Sequence, residues 1–105
     1  MQYLGGISGN GVLVCDGKDV AAAYYDFDGF LRPSKEVVSC GEIRLTARTL
    51  KEVFGRGNVQ IRTDDGRLLN LRFSEKTLNS AADAASVDVS GDLPAPPHWR
   101  RCNVR

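Results

Sequence analysis

Short apolar and polar stretches alternate along the chain, and turn-forming residues separate them. Two apolar runs, 3–7 and 12–15, flank the cluster 8–11, which reads Ser-Gly-Asn-Gly. Such a cluster can supply the positive φ angles of a tight turn, so the pattern predicts a first hairpin there. After a second turn at 16–18, residues 20–27 carry aromatic side chains typical of a half-buried strand.

The middle of the chain predicts a loop, a strand and a short helix, in that order. Residues 28–35 are rich in turn formers and indicate a surface loop, after which 37–46 alternates and predicts a strand. Gly41 inside this strand indicates a bulge or a close backbone approach. Apolar residues then recur at helical spacing over 47–54, and Gly55 ends that helix.

The clearest hairpin lies within residues 58–73, and its register follows from the pairing of apolar residues. A two-residue loop at 65–66 would place apolar residues opposite polar ones on both faces. A three-residue loop at 64–66 instead places Ile61 opposite Leu69. The sequence therefore predicts a type I turn followed by a glycine in the left-handed region.

The remaining chain completes a small β fold. Residues 74–83 leave a short helix and an irregular return both open, and 85–90 alternates as a last strand. Six or seven short strands with one short helix predict a single, mainly β domain over 1–91, either an antiparallel Greek-key barrel or a sandwich. The tail 92–105 holds three of the four prolines and cannot continue a sheet.

Charge and cysteine content indicate which partners and which cellular location to expect for this domain. Fourteen basic and thirteen acidic residues give a net charge of +1, so no long-range field attracts nucleic acid or an anionic membrane. No apolar run has the length of a signal peptide or a membrane span. The three cysteines are an odd number at wide spacing, which predicts a reducing, cytoplasmic location.

Four side chains could bind a soft metal: Cys15, Cys40, His98 and Cys102. The last two have the spacing His-x-x-x-Cys, which would place both on one face of a helical turn around a zinc ion. The first two lack the near partner that lets a metal bind two ligands from one turn. Thiols within strands usually act as small buried hydrophobes. We therefore expect no bound metal and no other cofactor.

A pair of carboxylates, Asp26 and Asp28, precedes a turn-forming glycine. Such a pair could bind calcium or act as acid and base in glycoside cleavage. The spacing does not match a calcium-binding EF-hand loop. In a strand the two carboxylates share one face and leave Tyr25 and Phe27 on the other, which is the ordinary pattern of polar side chains outside and aromatic ones inside.

Two short motifs bear on ligand binding. Arg44 and Arg48 have the spacing Arg-x-x-x-Arg, and residues 88–91 begin like Asp-x-Ser-x-x-Gly but place the glycine too early. In its size and strand pattern, and in these two motifs, the chain resembles the PilZ domain, a small barrel that binds cyclic di-GMP. In that family the arginines precede the first barrel strands, whereas here Arg44 lies in a predicted mid-chain strand and Arg48 in the helix that follows it. The resemblance covers architecture alone and implies no ligand. As charged side chains, Arg44 and Arg48 are nevertheless candidate ligand-binding residues, together with Asp26 and Asp28.

The proline-rich tail carries the only tryptophan, Trp99, followed by Arg100 and Arg101. Prolines favour an extended backbone, which holds the indole at a fixed distance from the last strand. Trp99 can dock on its own domain and gain the free energy of burial. It can also anchor a partner together with the two arginines, since Trp and Arg are common interface hot spots. Self-docking is the favoured alternative.

No nucleophile, base and acid converge in the sequence, and the only histidine lies in the tail. We therefore expect a non-catalytic β module that binds a protein partner or a small ligand, with homodimerisation through an edge strand open. The alternative is a small hydrolytic or metal-dependent enzyme that uses Asp26 and Asp28 or the cysteine and histidine set.

Overall fold

The fold is a closed barrel of antiparallel strands, seen in a computed structural model that describes residues 1–79 and 81–99. A sandwich is therefore excluded. The elements in chain order are β1 (Gln2–Cys15), β2 (Lys18–Leu31), β3 (Val37–Arg44), α1 (Ala47–Val53), β4 (Val59–Arg62), β5 (Leu68–Phe73), β6 (Ala84–Gly91) and a 3-10 helix (Pro96–His98).

The strand order around the barrel is β1-β2-β3-β6-β5-β4. Three consecutive strands, β1 to β3, neighbour one another, and the chain then returns through α1 so that β4 lies beside β1. This arrangement is a Greek key, as the strand pattern predicts. No helix among the described residues is long and apolar enough to cross a membrane.

The predicted first hairpin is wrong, because β1 runs without a turn through residues 8–11. Neither Gly9 nor Gly11 adopts a positive φ; their lack of a side chain serves close packing instead. A Cβ at Gly11 would lie 2.5 Å from the carbonyl oxygen of Arg62, and one at Gly9 would lie 2.7 Å from Oδ2 of Asp64. These glycines let β1 pass close to the end of β4.

The predicted loop over 28–35 begins too early. β2 continues to Leu31 because its last residues pair with β1 on one side and with β3 on the other. The turn itself is shorter: the N–H of Arg32 donates to the carbonyl of Glu36 at 2.9 Å, and Lys35 has a φ of 74°. The two ladders satisfy the backbone of residues 28–31, which a loop would leave to water.

The β4–β5 hairpin has the predicted register and turn. Ile61 lies opposite Leu69. The N–H of Gly66 donates to the carbonyl of Thr63 at 3.0 Å, and Gly66 has a φ of 91°. The loop is therefore the three residues 64–66, as apolar pairing predicts.

The helix α1 closes one end of the barrel. Leu50 and Val53 are buried and belong to the same core cluster as the inward side chains of the strands. The helix ends within one residue of its predicted limit, and Gly55 follows with a φ of 82°. In the stretch 74–83 the described residues contain no helix. Of the two predicted alternatives, the structure therefore shows the irregular return. The last predicted strand is present as β6.

Candidate functional site

The strand β1 is much longer than its neighbour β4. It pairs with β2 from Gln2 to Cys15, but β4 pairs only with Val12–Cys15. Among the residues that the structure describes, no strand pairs with the β4 side of β1 over residues 5–11. We name residues 5–8 of this segment, which border the groove described next, the open β1 edge.

A groove of about 650 Å³ lies beside the open β1 edge. The β4–β5 turn contributes residues 64, 65 and 67 to it, and the tail contributes Pro94 and His98. The strand β2 adds Tyr25 and its two outward carboxylates. The groove therefore joins segments that are far apart in the sequence, and it lies at the end of the barrel opposite α1.

Carboxylates outnumber guanidinium groups along the groove. Four aspartates line it against the single guanidinium of Arg67: Asp26, Asp28, Asp64 and Asp65. That arginine is itself paired, with Asp65 at 3.4 Å and with Asp92 at 3.5 Å. The groove is therefore acidic, although the whole chain carries a net charge of +1.

Two carboxylates are fixed in the turn by neighbouring hydroxyl groups. The Thr63 hydroxyl donates a hydrogen bond to Asp65 and is the main cause that holds the pKa of Asp65 below its usual range, with the charge of Arg67 adding to the effect. The Tyr25 hydroxyl donates to Oδ1 of Asp64 at 2.9 Å. In both bonds the hydroxyl donates and the carboxylate accepts, so the two hydrogen bonds hold both carboxylates in place at the groove.

Tyr25 joins the barrel core to the groove. Its residue surface is only 2% exposed, and its ring packs against Phe27 with the centroids 5.4 Å apart. Burial and the hydrogen bond to Asp64 raise the pKa of Tyr25 to about 12, because the phenolate would be poorly solvated beside a carboxylate. Gly9 leaves the space in which the two side chains meet.

The outward carboxylates of β2 differ in their contacts. Asp28 accepts a hydrogen bond from the Tyr3 hydroxyl at 3.1 Å. Within the described part of the chain, the Asp26 side chain has no hydrogen-bond or ion-pair partner. Both residues are exposed, as the strand alternation predicts. Asp26 can therefore accept a cation without first losing a contact.

Trp99 fixes the tail wall of the groove. The residue is only 5% exposed, and its Nε1 donates to the carbonyl of Pro94 at 3.0 Å. Its ring occupies the place that a side chain at Gly29 would take, with a Cβ there falling 2.5 Å from Cδ2. The predicted self-docking is confirmed, and little indole surface remains for a partner. Arg100 and Arg101 lie outside the described residues.

No family profile, curated protein or solved structure matches the chain. The resemblance to the PilZ domain gains no support from these comparisons. Any function must therefore be argued from the groove itself.

The two arginines considered for ligand binding lie at the helix end of the barrel, away from the groove. Arg44 ends β3, and its guanidinium binds the Glu42 carboxylate at 2.8 Å. Arg48 is exposed in the first turn of α1. Neither arginine lines the groove with Asp26 and Asp28, so the structure does not bring the four candidate ligand-binding residues together.

The cysteine and histidine set is dispersed. Cys15 is buried at the helix end, Cys40 is exposed on β3, and His98 lines the groove. Cys102 lies outside the described residues. The described part of the chain holds no group of three or more His, Cys, Asp or Glu side chains that could bind a metal ion.

Cys40 shares the acidic surface next to the groove, because it lies opposite Asp28 on β2 and Asp88 on β6. Partial burial raises the pKa of the Cys40 thiol, and the two carboxylates raise it further. A thiol in this environment is a poor nucleophile near neutral pH.

Sequence reasoning missed the part of the site that depends on distant segments. Asp64 and Asp65 are recognisable as turn residues, but nothing local indicates that the turn meets β1. Tyr25 and Asp64 are separated by 39 positions. The one available signal was the density of glycines in β1, which we interpreted as a turn.

Proposed function

We propose that the protein is a non-catalytic interaction module that binds a positively charged segment of a partner protein in the acidic groove. The observation that supports this proposal is the excess of carboxylates beside one guanidinium that is already paired. Complementary charge steers association and selects the sign of the partner's charge.

The construction of the groove supports binding more than catalysis. Asp26 and Asp28 leave the same face of one strand, and both are exposed. Acid–base catalysis by two carboxylates depends on environments that separate their roles, usually by enclosing one of them. An open surface on which carboxylates predominate instead suits a cationic ligand held by several weak contacts.

Peptide binding tests the proposal. The probes are a nine-residue peptide that alternates lysine and threonine and a counterpart with glutamate in place of lysine, each with a fluorescent label. We expect the lysine peptide to bind at least tenfold more tightly and to weaken as salt is added, because exposed ion pairs are screened. Equal affinity for the two peptides would contradict the proposal.

Charge-neutralising variants locate the site. In Asp26→Asn/Asp28→Asn, we expect the affinity for the lysine peptide to fall by about 2- to 30-fold, since two exposed ion pairs of roughly 0.2–1 kcal/mol each are lost. Glu52→Gln is the control for location, because it removes one negative charge from an exposed position on α1 at the other end of the barrel, against two in the groove variant. A loss of similar size in the control would place the binding elsewhere.

A further inference from the structure

We infer that the bound segment is an extended peptide that adds as a strand to the open β1 edge. The inference rests on the proposed function and specifies how the cationic segment binds. The observation behind it is that an acidic groove lies along a strand edge that has no strand partner among the described residues.

The open β1 edge lacks two of the usual protections of edge strands, charged residues and proline. Natural edges are blocked by lysine, proline, bulges or a covering segment. Residues 5–11 contain no charged residue and no proline, and four of these seven residues are glycine. Small side chains permit the close approach of a second backbone, whose main-chain hydrogen bonds supply affinity in strand addition.

Two features limit the length of the open edge. A register irregularity separates Tyr3 from Gly5. At the other end Asp64 packs against Gly9, so the β4–β5 turn blocks the strand there. About four residues remain, which span roughly 13 Å. A ligand of four or five extended residues fits this length.

The carboxylates indicate which ligand side chains should be basic. Gly6 lies opposite Asp28, and Ser8 lies opposite Asp26. Residues two apart in the ligand would face the same side, so its lysines or arginines should alternate with other residues. The added strand would lie two strand spacings from β2, about 9–10 Å, a distance that a lysine or arginine side chain can span.

Backbone N-methylation of the lysine peptide tests the inference. Two versions are made, one methylated at the odd and one at the even positions of the central five residues. Only alternate N–H groups of an added strand point to the edge, so we expect one version to lose at least tenfold in affinity and the other to stay within about twofold. If both stay within twofold while the preference over glutamate persists, strand addition is wrong and the proposed function stands.

Amide hydrogen exchange supplies an independent readout on the protein. We expect the lysine peptide to slow exchange at least tenfold at alternate amides of residues 5–8. Amides of Val12–Cys15 serve as the internal control, since β4 already pairs with that segment. Unchanged exchange at residues 5–8 under saturating peptide would overturn the inference.

Other occupants of the edge give different results. Protection of residues 5–8 without peptide, in a protein that sediments as a dimer, would identify a second copy of the chain and overturn the inference. Protection in the free monomer that is lost when residues 100–105 are removed would identify the chain's own C-terminal segment and overturn it equally.

Discussion

At the scale of single residues, the pair Tyr25 and Asp64 links the barrel core to the acidic groove. The phenol ring is buried with the core, whereas the hydroxyl reaches a carboxylate at 2.9 Å. Removing the proton from Tyr25 would place a second negative charge beside Asp64. The folded protein therefore holds this proton more tightly than the unfolded chain does.

Stability at high pH tests this pair. The pKa of Tyr25 is raised from its usual value of 10 to about 12, so its contribution to stability is complete below pH 10 and is lost as the pH rises towards 12. The loss should be on the order of 1–2 kcal/mol, because the hydroxyl borders solvent. In Tyr25→Phe, urea unfolding should show a correspondingly smaller decline in the free energy of unfolding between pH 10 and 12.

The control for this experiment is Tyr24→Phe, on the exposed face of the same strand. This variant should keep the decline of the wild-type protein. If Tyr25→Phe declines as steeply as wild type, the ionisation of Tyr25 does not contribute to the loss of stability, and burial beside Asp64 does not raise its pKa as described.

Local patterns predict the faces of strands but not the partners of their side chains. Alternation places Asp26 and Asp28 outside and Tyr25 and Phe27 inside, and the structure agrees. The contact of Tyr25 with Asp64 depends on where β1 crosses the end of β4. No periodicity within either segment encodes that crossing.

At the scale of elements, glycine explains both a correct prediction and an error. Gly66 takes a positive φ in the three-residue turn, as the pairing of Ile61 with Leu69 requires. Gly9 and Gly11 serve the other purpose of glycine, which is close approach. A single sequence does not distinguish these two uses unless flanking residues fix a register, and around residues 8–11 they do not.

Gly41 offers a direct test of close approach between β2 and β3, which the sequence indicates as one of two alternatives. A Cβ at Gly41 would collide with the carbonyl oxygen of Asp26 and would lie 2.8 Å from Cα of Phe27. Because both neighbours are backbone atoms, Gly41→Ala should lower the free energy of unfolding by about 3 kcal/mol or more. Chemical denaturation measures this change.

Gly57→Ala is the matched control, since a Cβ at that position meets nothing within 4 Å. We expect its stability to stay within about 0.5 kcal/mol of the wild-type value. Similar stabilities for the two variants would show that β2 and β3 can separate at Gly41 without cost.

At the scale of the whole molecule, the groove results from unequal strand lengths in a closed barrel. Fully extended, the fourteen residues of β1 would span about 43 Å, more than the 37 Å extent of the molecule along its longest principal axis. This comparison and the two register irregularities of β1 indicate that the strand is bent. Beyond the four residues of β4, the strand continues without a β4 partner. Sequence reasoning predicts a small antiparallel Greek-key β fold and leaves barrel and sandwich both open. It does not predict strand lengths, so the open edge could not be predicted.

Two segments outside the strands pack on the barrel: α1, which closes one end, and the tail, whose Trp99 packs over Gly29 of β2. Trp99→Ala should lower the free energy of unfolding by about 3–5 kcal/mol, because the substitution leaves a cavity over Gly29. It should also weaken binding of the lysine peptide, because alanine cannot donate the hydrogen bond by which Trp99 Nε1 holds Pro94 in the groove wall. Urea unfolding and peptide titration measure the two effects.

His98→Ala is the control for the stability effect, because this neighbouring side chain is exposed and should change stability by no more than about 0.5 kcal/mol. Wild-type fluorescence gives a separate check. A buried indole should emit at shorter wavelength than free tryptophan and resist quenching by iodide, and both properties should disappear on unfolding. Emission at the wavelength of free tryptophan in the native monomer, with an unchanged unfolding midpoint in Trp99→Ala, would contradict the docking. The tail would then not form a wall of the groove, and a cationic segment would be held by β1, β2 and the β4–β5 turn alone.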